Sequence, residues 1–366
     1  MTIRIATFNV ENLFSRFDFS GRAQREKRLV GHFAFDDERQ FEMARMIFQA
    51  VHSDDMRQLT ALALAETRAD IVCLQEVDNQ DALDVFYENY VRRVLRQSFA
   101  AATKGLGAEE RNARATDFFY DYRYVLPGND QRGINVAVMS RRDVSIRSWS
   151  AITYDFIRDL PLDWSKLAAV GEAPGKKVFR RDCLQVETSV DGAPLTLFIC
   201  HLKSRQAYTP KGDPQQETLP VRLAEAHAIR RIIEQRFGKA SKHANWAICG
   251  DFNDFYEIDG APVEEHALGP LLGDGFAVNI MERRSADDRW THYHPATDTH
   301  VQLDYILLSP ALAAANPQAV PEVVRAGQAF RVPRLHDAPR YPRIGWDRPK
   351  ASDHCPVAVE LHVPGR

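Results

Sequence analysis

The side chains best suited to chemistry in this 366-residue chain sit at the ends of apolar runs. In order, the runs read Ile5-Ala6-Thr7-Phe8-Asn9-Val10-Glu11, Val72-Cys73-Leu74-Gln75-Glu76-Val77, Phe198-Ile199-Cys200-His201-Leu202, Ile248-Cys249-Gly250-Asp251-Phe252-Asn253-Asp254, Leu303-Asp304-Tyr305-Ile306-Leu307 and Ser352-Asp353-His354-Cys355-Pro356. Each run reads as a buried strand that delivers an amide, carboxylate or imidazole at its end. A hard divalent cation takes oxygen ligands and needs only one or two protein carboxylates. Glu76, with Asn9 beside it, supplies ligands of that kind. Alternation in an extended segment puts Asp251 and Asn253 on one face, an acid and an amide able to deprotonate and hold a water. His354 can meet a phosphoryl oxygen if a carboxylate holds it cationic, and Asp304 is the candidate carboxylate. His201 offers a second imidazole. Taken singly, each group reads as a turn-former, a solvated acid or a structural histidine. Gathered on one rim, they are the parts of a metal-assisted phosphoester hydrolase: a cation site, a water activator and positive charge for the transition state.

The elements that must position these groups follow from periodicity. Residues 3–10 predict a strand, and residues 15–35 a loop or insertion. Asp36-Asp37-Glu38 opens a helical pattern through Phe41, Ala44, Ile47, Phe48 and Val51. Ser53-Asp54-Asp55 caps a second helix carrying Met56, Leu59, Leu62 and Ala63. Strands are predicted at 71–77, 122–126, 134–140, 182–189, 195–202, 245–250, 303–308 and 356–363, with a turn at Pro127-Gly128-Asn129-Asp130. A helix is expected over 80–98, and another along Leu223, Ala226, Ile229, Ile233 and Phe237. Residues 100–117 read as mobile and 150–178 as an irregular loop. The mixed order predicts α/β (α+β) layering, two sheets each with an outer helical layer. With no repeat or linker, one domain over 1–366 is the simpler expectation.

Bulk properties bound the function. The chain is 45% hydrophobic and 27% charged, with ample apolar material for a large core. Its net charge of −3 gives no global basic surplus, so a nucleic-acid partner must be met by a local patch. Cys73, Cys183, Cys200, Cys249 and Cys355 lack metal-site spacing and read as small core residues in a reducing compartment. Met1-Thr2-Ile3 passes at once into the first run, which leaves no room for a signal peptide. No apolar run approaches the roughly 20 residues of a membrane span. A cytoplasmic protein without a membrane partner is expected.

The order Asn, Glu, His, Asp-x-Asn, Asp, Asp-His and its flanks resemble the endonuclease/exonuclease/phosphatase superfamily, the fold of deoxyribonuclease-I-like and exonuclease-III-like enzymes. The matching motifs are Phe-Asn-Val, Leu-Gln-Glu-Val, Gly-Asp-Phe-Asn, Leu-Asp-Tyr-Ile-Leu and Ser-Asp-His-x-Pro-Val, from Asn9 to His354. The resemblance implies a four-layer αββα sandwich and a divalent cofactor, Mg²⁺ or Mn²⁺, at Glu76 with Asn9 beside it. It also implies that Asp251 activates water, that Asn253 orients it or binds phosphate, and that His354 pairs with Asp304 to stabilise the transition state. Asp353 would bind or order the metal site, and Glu11 matches a position where some nuclease members carry a metal-associated Asp. His201 matches the second imidazole, which contacts phosphate or assists the leaving group. Two departures stand out. The Asn9–Glu76 gap is long for the family, and no carboxylate partner for His201 is evident; Asn135 is a possible polar neighbour. Insertions are expected near 15–60, 150–178 and 325–350.

Which phosphoester is cleaved depends on loops. Residues 325–350 carry Arg325, Arg331, Arg334, Arg340, Arg343, Arg348 and Lys350 against Asp337 and Asp347, with Phe330, Tyr341 and Trp346 interleaved. Arginines beside a catalytic rim hold polyanions, and aromatics stack on bases. Lys203 and Arg205 extend the strip, as do Arg141-Arg142 and the basic stretch Lys176–Arg181. A nuclease acting on DNA is the leading expectation. A phosphatase or phosphodiesterase for a small or lipid phosphoester is the alternative, and a non-catalytic nucleic-acid-binding module the minor one.

Overall fold

In the computed structural model the polar-ended runs lie in or beside the strands of two six-stranded sheets. Residues 2–13, 37–40, 55–130, 132–209, 212–258, 260–335 and 337–365 are described. The strands are β1 Thr2–Leu13, β2 Ile71–Val77, β3 Tyr122–Val125, β4 Asn135–Ser140, β5 Ser145–Arg147, β6 Cys183–Val190, β7 Ala193–His201 and β8 Trp246–Asp251. There follow β9 Glu257–Ile258, β10 Ala261–Pro262, β11 Val278–Asn279, β12 His292–His294, β13 Thr299–Val301, β14 Asp304–Leu308, β15 Glu322–Val323 and β16 Val357–His362. One sheet has the order β15-β16-β1-β2-β4-β3 and the other β11-β14-β8-β7-β6-β5. Each has a parallel central pair, β1 with β2 and β7 with β8, flanked by antiparallel neighbours.

Strand alternation explains how the sheets pack. Ile3 and Ile5 of β1, Leu195, Leu197 and Ile199 of β7, Ala247 and Cys249 of β8, and Ile306 and Leu308 of β14 all belong to one buried core cluster between the sheets. The opposite parity on β1 and β2, Ala6, Phe8, Val72 and Leu74, packs with Leu59 and Leu64 of the helix Asp55–Glu66 and with Leu83 and Phe86 of the helix Gln80–Phe86. On the other sheet Phe198, Ile248, Tyr305 and Leu307 pack with Ile229, Ile232 and Ile233 of the long helix Pro214–Phe237. Helix, sheet, sheet, helix is the layering that the periodicity predicts.

The differences are local. The helical pattern at 36–51 lies largely outside the described residues, as do residues 15–35, Ser53 and Asp54. The helix expected over 80–98 runs on to Ala102 through a wide π-turn at Tyr87–Val91. Residues 100–117 contain the helix Ala108–Ala115, begun by a Glu110 carboxylate that accepts from the Gly107 N–H. Residues 150–178 are the irregular loop expected, broken by a 3-10 turn at Tyr154–Ile157 and the helix Trp164–Ala169, and Tyr154, Ile157 and Leu167 are buried against the long-helix core. That helix begins nine positions before Leu223, at Pro214, because Asp213 caps it by accepting from the backbone N–H groups of Gln215 and Gln216.

Gly250 is fixed by the parallel β7–β8 pair. A Cβ there would lie 1.9 Å from the Cys200 carbonyl oxygen, and its φ is +156°. Gly250→Ala must push β7 and β8 apart. Its expected cost is at least about 2 kcal/mol, read as a lower urea midpoint with an unchanged slope.

Asp182, just before β6, is buried and accepts from the backbone N–H of Trp149 (2.9 Å) and Cys183 (2.7 Å). Burial pushes its carboxyl up to about 6 against these hydrogen bonds. The folded chain therefore holds this proton more tightly than the unfolded chain. The associated stability is complete below about pH 4 and is lost as pH rises through about 6; the difference corresponds to roughly 3 kcal/mol. Asp182→Asn is expected to flatten that part of the stability–pH curve, measured by urea denaturation between pH 4 and 7.

Candidate active site

Parity carries four of the groups from the core to one rim. Asn9 continues the inward Ile3-Ile5-Thr7 row, and His201, Asp251 and Asp304 end the inward rows of β7, β8 and β14. His201 and Asp304 both pair in register with Asp251, so the three form one line across the sheet. The two sheets meet where the Asn9 side-chain amide donates to Asp251 Oδ2 at 2.9 Å. Ser352 ties the last motif to the same place. Its hydroxyl donates to the Asn9 carbonyl (2.7 Å) and accepts from the His354 N–H (3.0 Å).

Glu76 breaks parity. Gln75 shares the inward row with Ile71 and Cys73, so regular alternation would turn Glu76 toward the helices. A register shift between Leu74 and Val77, with Glu76 at φ +65°, redirects it. The Asn12 N–H, itself at φ +57°, donates to Glu76 Oε2 at 2.9 Å. Burial and then the Asp353 charge push the Glu76 carboxyl above its ordinary value. Left-handed backbone at Glu11, Asn12, Glu76 and Asn253 is costly for residues with a Cβ, and its concentration here marks a rim under strain.

Asp251 is buried, and its carboxyl is pushed up to about 7 by burial, with repulsion from Asp304 adding to it. Oδ1 accepts from the Asn253 N–H at 2.8 Å. The Asn253 amide donates to the Leu202 carbonyl (3.0 Å) and to Asp251 Oδ2 (3.3 Å). His354 Nδ1 lies 2.8 Å from Asp304 Oδ2, and its Nε2 is 3.7 Å from Asp251 Oδ2. Burial opposes charge on this ring, but Asp304, Asp251 and Asp353 outweigh it and hold His354 well above the ordinary imidazole value. The same ring, with His292 and Lys350, overcomes the effect of burial on Asp353 and keeps it below the ordinary carboxylate value.

His201 is the opposite case. Its Nε2 is 3.5 Å from Asp251 Oδ2, while its buried Nδ1 has no hydrogen-bond partner among the described residues. Burial, then the buried Arg181, hold it well below the ordinary value, so the ring is neutral. Among the described residues no carboxylate meets His201 Nδ1. Asn135 does not fill the role: its amide donates to the Asp78 and Gly133 carbonyls, and its oxygen accepts from the Gly128 N–H.

The remaining candidates are engaged elsewhere. Both Glu11 oxygens face cations, Arg348 at 2.5 Å and the buried Lys350 at 3.3 Å. Lys203 donates to the Ser204 and Gln206 carbonyls, and Arg205 pairs with Asp254 and lies over Phe255. Arg340 donates to the Gln328 and Ala338 carbonyls, and Arg343 pairs with Asp55. Trp346 is 69% exposed.

His292 was not anticipated from sequence. It opens the short β12–β13 hairpin, packs its ring 4.8 Å from that of His354, and bonds the Asp353 carbonyl through Nδ1 at 3.1 Å. The adjacent Thr291 hydroxyl accepts from the Leu303 and Asp304 N–H groups, and the Thr291 carbonyl accepts from the Cys355 N–H. The alternation Trp290-Thr291-His292-Tyr293 before Pro295 and Asp298 is the signal that could have exposed this hairpin.

The sequence profile of the Endonuclease/Exonuclease/phosphatase family matches residues 6–354, and the chain belongs to that family. Its members are phosphoester hydrolases, generally dependent on a divalent metal. Among solved structures, SmcL is 14% identical over 99% of both chains with a TM-score of 0.53, a likeness of fold. Humanized TDP2 of D. rerio is 15% identical over 99% of both chains, at 0.47. The 3′ phosphatase NExo from Neisseria, bound to a product DNA hairpin, is 14% identical over 98% of this chain and 99% of its own, at 0.45. No curated protein matches the sequence.

The Asp304–His354 pair gives a direct expectation. Asp304→Asn removes the ring's nearest negative charge, so His354 should lose its proton at distinctly lower pH. Imidazole resonances followed by NMR across a pH titration in chelator test this; an unmoved His354 titration contradicts it.

Proposed function

We propose that this protein is a divalent-metal-dependent phosphodiester hydrolase acting on DNA. The observation that carries the reading is the Asp304–His354–Asp251–Asn9 chain, a cationic imidazole and a buried carboxyl meeting at a rim lined by further acids. Those acids fit a hard cation. Glu76 has one oxygen taken by the Asn12 N–H, its charge is disfavoured by burial and by Asp353, and the donors at hand are carboxylate and amide oxygens. Glu76, Asn9 and Asp353 would hold Mg²⁺ or Mn²⁺, which when bound neutralises a non-bridging phosphate oxygen.

The protein's own groups supply the rest. Asp251 accepts the proton of the attacking water, and a carboxyl titrating near neutrality suits that task. Asn253 holds this base through its N–H and amide, leaving its Oδ1 to accept from the water. His354, kept cationic by Asp304, donates from Nε2 to a phosphoryl oxygen as charge builds there. His201, being neutral, orients phosphate by hydrogen bonding and does not serve as the acid.

The DNA reading rests on the rim. Trp346 is exposed for stacking, and the Arg343 and Arg348 side chains are 64% and 54% exposed although ion-paired. Exposed ion pairs contribute about 0–1 kcal/mol, so a phosphate can displace their carboxylates. A small or lipid phosphoester is favoured by a different observation: Arg325, Arg331 and Arg340 of the same loop are engaged by acids or carbonyls of the protein itself.

The test uses purified protein with Mg²⁺ or Mn²⁺ on plasmid, single-stranded DNA, end-labelled duplex and a nitrophenyl phosphodiester. Chelator-sensitive cleavage is expected, and Asp251→Asn or His354→Ala should each lower turnover by roughly 10²–10⁴-fold. Turnover of the small diester with all DNA intact would remove DNA as substrate. No turnover of any diester would remove the hydrolase reading.

A further inference from the structure

We propose that His292, Asp353 and His354 form a binding site for a transition-metal ion such as Zn²⁺, sharing Asp353 with the all-oxygen cation site, and that an ion there blocks hydrolysis. The blocking half rests on the hydrolase reading above; the binding half does not. One ring nitrogen of each histidine and one Asp353 carboxylate oxygen lie within 4.8 Å of one another, and the side chains are half-buried or buried. Ligand atoms around a tetrahedral zinc ion stand roughly 3.4 Å apart. The set therefore closes on an ion once its widest pair draws in by about 1.4 Å.

Proton placement prepares His292, and His354 ligates once it gives up its Nε2 proton. His292 Nδ1 faces a backbone carbonyl, which can only accept, so Nδ1 carries the hydrogen and Nε2 keeps its lone pair. His354 Nδ1 is likewise directed at the Asp304 carboxylate. A ligating histidine almost always donates its other ring N–H to a carbonyl or carboxylate, which fixes tautomer and ring orientation. Both rings meet that condition. The hairpin adds rigidity, because Thr291 and His292 hold Cys355, Asp353 and Asp304 in place through four hydrogen bonds.

Two imidazoles and a carboxylate select differently from the all-oxygen set of Glu76, Asn9 and Asp353. Nitrogen donors suit Zn²⁺ and related ions, whereas Mg²⁺ prefers oxygen. Three protein ligands and one open position are a common zinc arrangement. An ion bound here takes up His354 Nε2, the nitrogen that faces Asp251 and serves the phosphoryl oxygen in the reaction above. Zinc at this place competes with substrate-stage use of His354 instead of supporting it.

The experiment uses chelator-treated full-length protein and His292→Asn. Asparagine places its amide near the Nδ1 position, so it keeps a donor for the Asp353 carbonyl and deletes the ligating nitrogen. His292→Ala is the second variant, and thermal unfolding verifies that each folds. Zn²⁺ is titrated by calorimetry both without and with Mg²⁺, which also uses Asp353, and Co²⁺ by its visible spectrum. Wild type is expected to bind one Zn²⁺ at least about tenfold more tightly than either variant. Diesterase activity in Mg²⁺ is then followed against Zn²⁺, each protein normalised to its own zinc-free rate, and the variants should need at least about tenfold more zinc for half inhibition. Equal zinc affinity in wild type and variants overturns the site. A zinc-loaded wild type that keeps its full rate overturns the block. Histidine-dependent zinc binding by a protein that cleaves no diester upholds the site and removes the hydrolase reading alone.

Discussion

The hydrogen bond from Asn9 to Asp251 joins two sheets whose shared core is mainly aliphatic. Packed sheets stand about 10 Å apart, and polar groups on their facing sides have no water to turn to. The inward rows of β1, β7, β8 and β14 all change from apolar to polar at the same end, so the charged groups collect where the core gives way to the rim. One consequence is burial of charge, with electrostatic crowding added to it. Glu76 and Asp251 sit above their ordinary proton affinities, and Asp353 is kept ionised by the cations around it. A divalent cation relieves such crowding, which links the fold's geometry to the family's metal dependence.

Much of this was legible in sequence because period two is robust. Asn9, His201, Asp251 and Asp304 end rows that an alternating reading already turns inward. Glu76 was legible as a strand end but not as an inward group, since a non-glycine residue at positive φ leaves no compositional trace. His292 and the adjoining Thr291 left only a weak trace, for another reason. Their hairpin strands span three residues each, too short for periodicity to register. The burial within 150–178 was missed because Tyr154, Ile157 and Leu167 follow no single period, yet all reach the long-helix core.

The basic segment before Asp353 shows where linear reading misleads. Its arginines find partners far away in sequence: Arg348 on Glu11, Arg343 on Asp55, Arg325 on Asp288. A run of positive charge counted along the chain is thus largely internal bonding in space. Surface potential belongs to the folded arrangement, and the loop's role includes fastening the last motif to the first strand.

That fastening bears on the order of assembly. β1 precedes the other described strands in the chain, yet it lies inside its sheet between β16 and β2. One of its edges stays unpaired until the final strand emerges from the ribosome, and an unpaired edge invites pairing with other chains. Synthesis halted before residue 350 yields a chain with that open edge and without Asp353 or His354. The rim therefore forms only when Asn9 and His354, far apart in sequence, have met.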